Sequence, residues 1–220
     1  MESESQIILI DKPAGMTSFG VVARVRRVLS EAAGHKVKVG HTGTLDPFAT
    51  GLLILMTGKN TKLCQDFLKH DKEYIATLCL GKISSTGDIE GEITEVSEKV
   101  SSEEEVRAAV SGFVGKIKQT VPAFSAVKIN GERAYKLARK GIDVEMPTRE
   151  VEVYEIEVLS YNYPELTIRC HVSSGTYVRT LGEDIGKALG TGAYLTALRR
   201  TKIAEYKVED VKTLEDLGVK

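Results

Sequence analysis

An aspartate and a histidine stand five positions apart in a glycine-rich stretch, Gly40-His41-Thr42-Gly43-Thr44-Leu45-Asp46-Pro47-Phe48-Ala49-Thr50-Gly51. A carboxylate in a loop between two rigid elements has the chemistry of a nucleophile. The same residues also suit a plain turn, because Asp-Pro steps and loop histidines are common in turns. Several other chemistries are excluded. Gly58-Lys59 lacks the upstream glycine of a phosphate-binding P-loop, and no G-x-S-x-G serine elbow occurs. Cys64, Cys79 and Cys170 form neither a C-x-x-C pair nor a Cys/His metal spacing, so no metal is expected and the three read as buried thiols. Ser173-Ser174-Gly175-Thr176 is a weak candidate for a nest of backbone amides around a phosphate. With no dinucleotide fingerprint and no cofactor expected, chemistry must come from a carboxylate, an arginine and tyrosines.

The elements that must position this loop are legible from periodicity. Val37-Lys38-Val39 leads in, and Leu52-Leu53-Ile54-Leu55-Met56 leads out as a buried strand. Upstream, residues 6–10 read as a strand and Asp11-Lys12-Pro13-Ala14-Gly15 as a turn. Thr17 or Ser18 caps a helix in which Val21, Val25, Val28 and Ala32 form one apolar face, with Arg24 and Arg27 on another, ending at Gly34. Residues 61–69 predict a helix with Leu63, Phe67 and Leu68 inward. Residues 73–80 predict a strand, 81–91 a loop and 92–96 a short strand. Ser101 or Ser102 caps a helix to Val110 whose first turn is acidic, as the helix dipole favours. Residues 112–119 read as strand or turn, 125–129 as a strand closed by Asn130-Gly131, and 133–139 as a short basic helix. Strands at 151–161 and 166–172 precede a helix at 177–189. Residues 194–200 then lead to a strand at 202–206, and 213–217 make a last helical turn. Strands and helices are interspersed without strict alternation, which predicts an α+β fold with a mixed, largely antiparallel central sheet flanked by helices. The chain is expected to be a single domain, with a protruding insertion at about residues 120–150.

The 220 residues are 42% hydrophobic and 28% charged, ordinary for a globular protein. No apolar run is long enough to cross a bilayer, and Met1-Glu2-Ser3-Glu4-Ser5 is unlike a secretory signal. A soluble, cytoplasmic protein is expected. Net charge is −1, but its distribution is uneven. Residues 12–40 hold six Lys/Arg and one acid, residues 179–202 five and two, and residues 88–105 one Lys and eight acids. Such segregation suits a polyanion on one face, though each cluster also suits a solvated helix face.

Six motifs in chain order carry a family resemblance. Asp11-Lys12-Pro13-Ala14-Gly15-Met16-Thr17-Ser18 and the Gly40–Gly51 stretch resemble the two signature motifs of the TruB-type tRNA pseudouridine synthases. Asp71-Lys72-Glu73-Tyr74 and residues 81–88 resemble the family's next two elements. Phe124-Ser125-Ala126-Val127-Lys128 with Gly131 and Arg133-Ala134-Tyr135 resembles its RNA-gripping insertion. Gly175-Thr176-Tyr177-Val178-Arg179-Thr180, followed by Leu198-Arg199-Arg200, matches its late catalytic motif. Phe124 departs from a common tyrosine and Ser174 from a common basic residue.

The resemblance implies the pseudouridine synthase fold and an isomerase that converts uridine to pseudouridine at position 55 in the T arm of tRNA. By similarity Asp46 is the nucleophile, Arg179 pairs with it, and Tyr74 stacks on the uracil. Tyr177 and Leu198 line the base pocket, and His41 holds the flipped nucleotide. Lys12 either fixes the loop around Asp46 or touches phosphate, and Lys128, Arg133 and Arg139 touch phosphates. The loop's glycines are expected to let the backbone pass close to that nucleotide. Relatives usually continue into a small PUA-type RNA-binding domain, which is not expected here. The protein is expected to act as a monomer on tRNA, with no protein partner and no membrane. The alternative is a non-catalytic RNA-binding or tRNA-folding module on the same fold.

Overall fold

The computed structural model describes residues 5–219. The chain forms two compact units: residues up to Ile75 together with Leu198 onward, and Ala76–Ala197.

In the first unit, β1 (Ile7–Lys12) pairs antiparallel with β3 (Thr50–Thr57), from Ile7 opposite Met56 to Lys12 opposite Gly51. β2 (Val39–His41) pairs with the far end of β3. Leu52 to Met56 are fully buried, as a continuous apolar run demands of a strand covered on both faces. One cover is α1 (Ser18–Ala33), whose Val21, Val22 and Val25 pack with Ile8, Ile10, Leu53 and Leu55. Thr17 caps α1 by accepting from the Gly20 amide at 2.9 Å, and Gly34 closes it in the left-handed conformation. The inner face is narrower than the periodicity suggested: Val28 is half-buried and Ala32 exposed.

The predicted helix over 61–69 is instead a 3₁₀ turn, Gly58–Leu63, followed by a single turn, α2 (Cys64–Phe67). Phe67 packs near Leu52, Ile54 and Ile203, while Leu63 and Leu68 stay exposed. The segment is too short to bury a helical face. The end of β12 (Ala193–Ile203) completes the unit, running parallel to β3 with Arg199 opposite Thr50 and Arg200 opposite Gly51. The sequence suggested a strand at 202–206; β12 instead runs unbroken to Ile203, and Ala204 at positive φ turns it into β13 (Tyr206–Lys207).

The second unit shares β4 (Lys72–Leu80) and β12 by chain continuity, and its strands lie in the order β12, β4, β11 (Glu165–Val172), β10 (Thr148–Asn162), β7 (Gly115–Thr120). β7–β10 and β10–β11 are antiparallel. The expected loop over 81–91 contains β5 (Lys82–Ser84), which pairs with β6 (Ile93–Glu95). Ser102 caps α3 (Glu103–Ser111) with a reciprocal bond to Glu105. Within the 120–150 stretch only Lys128–Ile129 (β8) and Glu132–Arg133 (β9) form a hairpin, leading into α4 (Ala134–Arg139). α5 (Val178–Leu189) packs on the strands through two glycines one turn apart. A Cβ on Gly182 would lie 3.1 Å from Leu195, and one on Gly186 only 2.3 Å from the Ala193 nitrogen. Side chains there would lift the helix off β12. Of the three cysteines, Cys170 is buried, while Cys64 and Cys79 are only half-buried.

Candidate active site

The expected site residues divide between the units: Asp46, His41, Tyr74, Leu198 and Lys12 in the first, Arg179, Tyr177 and Lys128 in the second.

Asp46 is half-buried, and the backbone on both sides of it is tied down. Before it, the Ser18 hydroxyl accepts from the Leu45 amide at 2.8 Å and donates to the Leu45 carbonyl at 3.0 Å. After it, the Pro47 carbonyl accepts from the Gly15 amide at 2.9 Å and from Lys12 Nζ at 3.1 Å. The Asp46 carbonyl itself accepts from the Ala49 amide at 3.1 Å. Two sequence motifs about 30 residues apart are therefore one physical object. The β1–α1 turn is the platform, and the Asp46 loop rests on it.

Lys12 belongs to that platform. It is fully buried, and Nζ also donates to the carbonyls of Pro13 at 2.8 Å and Met16 at 2.6 Å. Of the two roles open from sequence, this geometry is that of fixing the loop. A buried ammonium is tolerable only with such acceptors.

Arg200 holds the loop from below, a role the sequence reading did not assign. It is 1% exposed. Nε donates to Leu52 O at 2.8 Å, Nη2 to Gly43 O at 3.1 Å and Nη1 to Thr44 O at 3.5 Å. One guanidinium thus joins the strand after Asp46 to the loop before it. The loop glycines answer to the same packing. Gly51 has φ +100°, and a Cβ there would lie 2.3 Å from the Arg200 carbonyl oxygen. A Cβ on Gly40 would press on Cys64 Sγ at 3.2 Å. These two glycines allow close approach within the protein.

The Arg200 charge is felt by its neighbours. Lys72 donates to His70 O at 2.5 Å and Leu68 O at 3.1 Å. Burial, with Arg200 second, brings its ammonium down to about 8 against the pull of Asp71. His41 is likewise held below its ordinary value, by burial first and Arg200 second. Its Nδ1 accepts from the Gly43 amide at 3.3 Å, which leaves the proton of the neutral ring on Nε2. Tyr74 and Leu198 are buried at 7% exposure each, Tyr74 on the face of β4 shared with Lys72 and Ala76.

In the second unit Arg179 is 5% exposed at the start of α5. Nη1 donates to Thr86 O at 2.8 Å and lies 3.4 Å from Asp88 Oδ2, and Nη2 donates to Phe124 O at 2.8 Å. Asp88, also missed from sequence, is 2% exposed and accepts from Thr86 Oγ1 at 2.6 Å and the Glu90 amide at 2.9 Å. Its signal was the Gly-Asp step closing the 81–88 motif. Gln119 grips the backbone of Tyr177 twice, accepting from its amide at 3.1 Å and donating to its carbonyl at 3.3 Å. Nearby lies a hollow of about 490 Å³ lined by Thr86, Thr120, Phe124, Thr180, Glu183 and Lys187. Burial raises the Glu183 carboxyl. Lys128, Arg133 and Arg139 are exposed around the β8–β9 hairpin and α4; Arg133 donates to Ala126 O, and Arg139 lies over the Tyr135 ring at 5.6 Å.

The family model described as TruB family pseudouridylate synthase (N terminal domain) matches residues 26–178. The chain belongs to the TruB family. A second model, for the C-terminal domain of tRNA pseudouridylate synthase B, matches residues 179–219. A TruB relative from Desulfotalea psychrophila named tRNA pseudouridine synthase B is 51% identical over 218 residues, covering 96% of this chain and 87% of its own. One from Phocaeicola vulgatus with the same name is 47% identical over 215 residues, covering 96% and 91%. Among solved structures, a chain of a Cbf5–Nop10–Gar1 complex superposes with TM-score 0.74 at 33% identity, covering 96% of this chain and 52% of that one. A chain of an H/ACA RNP bound to a substrate RNA containing 2′-deoxyuridine gives 0.71 at 31%, covering 96% and 51%. The α+β fold with its largely antiparallel sheet is that of the pseudouridine synthases, and as a TruB-family enzyme the chain is an isomerase that makes pseudouridine from uridine. Among the described residues no helix is long and apolar enough to cross a membrane.

Proposed function

We propose that this enzyme isomerises uridine 55 in the T arm of tRNA, with Asp46 as the nucleophile. The observation that carries the assignment is the anchoring of Asp46: Ser18, Lys12 and Arg200 fix the backbone before and after it. A loop that only closes a turn has no need of two buried cations bonded to its backbone carbonyls. The tRNA substrate is that of the named relatives, and one matched structure holds a substrate RNA containing 2′-deoxyuridine.

The reaction breaks the bond between uracil N1 and the sugar C1′, turns the base and forms a bond from C5 to C1′. C5 loses a proton and N1 gains one, so atoms balance without a co-reactant. A carboxylate nucleophile divides this into two easier steps by holding one fragment while the other turns. The target base must leave its stack, at a cost of a few kcal/mol, and stacking on Tyr74 returns about 1–3 kcal/mol. Leu198 and Tyr177 supply further lining for the base. Neutral His41 offers its Nε2 proton to the nucleotide. Arg179 is the fixed positive group of the reaction, held by Thr86, Asp88 and Phe124. Lys128 contacts phosphate and positions the RNA without reading it. The enzyme works as a cytoplasmic monomer.

Incubation with unmodified tRNA followed by chemical mapping of pseudouridine tests the reading. A single new pseudouridine at position 55 is expected with the wild type and none with Asp46→Asn, whose tRNA affinity stays within about twofold because a uniform binding contact is not what is lost. Binding without product in the wild type would favour the RNA-binding module instead.

A further inference from the structure

The first unit carries a groove that the proposed chemistry does not use. It has a volume of about 220 Å³ and is lined by Arg26 of α1, by Lys36, Lys38 and Val39 on the approach to and within β2, by Gly40, and by Thr61 of the 3₁₀ turn. Its walls hold three cations and no acid. The backbone here is closely packed: Gly58 N donates to Lys38 O at 3.0 Å, and a Cβ on Gly40 would meet Cys64 Sγ at 3.2 Å and Thr61 at 3.9 Å. Gly40, which lines the groove, is also the residue before His41 at the start of the Asp46 stretch.

Several exposed cations elsewhere on the protein are paired locally. Exposed cations at Lys69, Arg107, Lys116, Lys140 and Lys187 each sit within ion-pair distance of a carboxylate. Among the described residues no carboxylate pairs with Arg26, Lys36 or Lys38, nor with Lys59 and Lys62 on the adjoining turn. From Arg24 to Lys62 there are seven Lys/Arg against Glu31 and Asp46. Unpaired like charges around one groove repel each other, and the arrangement is stabilised when a polyanion enters.

We infer that this groove binds the sugar–phosphate backbone of the RNA substrate, a contact that positions the RNA and carries no sequence information. The inference rests on the reading that the substrate is tRNA. The test compares wild type with the triple variant Arg26→Gln, Lys36→Gln, Lys38→Gln, using unmodified tRNA, by equilibrium binding across a salt series and by steady-state turnover. The variant should bind about tenfold or more weakly near 0.1 M salt. The slope of log affinity against log salt should fall by about two to three, as expected for up to three lost phosphate contacts. KM should rise while kcat stays at the wild-type value. A control variant, Lys69→Gln, Arg107→Gln, Lys116→Gln, removes the same charge from paired positions and should leave slope and KM unchanged. Equal slopes and KM for the groove variant and wild type would overturn the inference, and so would an equal loss in the control, which would mean bulk charge alone. If wild type itself neither binds nor converts tRNA, the substrate reading fails first and takes the groove with it. Normal wild-type turnover with an unaffected groove variant would sink the groove alone.

Discussion

Ser18 and Leu45 exchange two hydrogen bonds across 27 positions of sequence, the hydroxyl accepting from the amide at 2.8 Å and donating to the carbonyl at 3.0 Å. Both residues are buried, so neither backbone group of Leu45 has water as a substitute. One hydroxyl at the start of α1 thereby fixes the residue immediately before Asp46.

Ser18→Ala should therefore cost about 1–3 kcal/mol of stability, the penalty for buried groups left unmatched. It should lower kcat at least about tenfold, since small misplacements of a reacting group are costly. Affinity for tRNA should hardly change. Thermal melting and a kcat-versus-KM comparison check this; a variant with reduced stability but wild-type kcat would show that Ser18 supports the fold alone.

Arg200→Lys keeps the charge and removes the fork that spans Gly43, Thr44 and Leu52. The expected loss of stability is on the order of 3 kcal/mol, given three charge-assisted contacts that an ammonium cannot all replace. Turnover should fall with little change in KM. Retained kcat would mean that charge under the loop suffices and geometry does not matter.

Lys72 makes a pH prediction. Its folded-state ammonium titrates near 8, below the ordinary 10.5. Below pH 8 both folded and unfolded states carry the proton, and the folded protein bears the full cost of burying the charge. Between about 8 and 10.5 the unfolded state holds more protons, so this group makes stability rise with pH. Lys72→Met should flatten that rise in denaturant unfolding measured from pH 7.5 to 10. Arg200→Gln, which removes the second-largest cause, should move the Lys72 midpoint upward, readable by NMR titration of labelled lysine.

Asp88 is the buried carboxylate beside Arg179, and Asp88→Ala should cost about 3–5 kcal/mol, as removal of one member of a buried pair does. Asp88→Asn keeps the acceptor for Thr86 and the Glu90 amide and should cost less. Arg179→Ala should abolish pseudouridine formation while circular dichroism shows a folded protein. Wild-type turnover from Arg179→Ala would remove it from the chemistry.

Much of this was legible because local rules and tertiary demands agree. The apolar run from Leu52 to Met56 had to be a strand buried on both faces, and Thr17 and Gly34 bracket α1 where capping chemistry puts them. Where the local pattern was weak, it misled. Leu63 and Leu68 looked like an inward helix face, but a 3₁₀ turn with one helical turn has no continuous face to bury. The break before residue 202 was misplaced because strand β12 carries both buried apolar residues and the buried Arg200, which disrupts the alternation that marks a strand.

Chain order alone determined the family, the loop that bears Asp46 and the residues around which to look. Periodicity reports only neighbours within an element, and so it was silent on what holds that loop. Tertiary structure decided that Lys12 and Arg200 lie under it, that Gly51 yields to the backbone of Arg200, and that Asp88 and Gln119 steady Arg179 and Tyr177. Each of these is a contact between residues at least 35 positions apart. Their energy comes from satisfying buried charges and backbone groups, a demand that arises only when folding removes water.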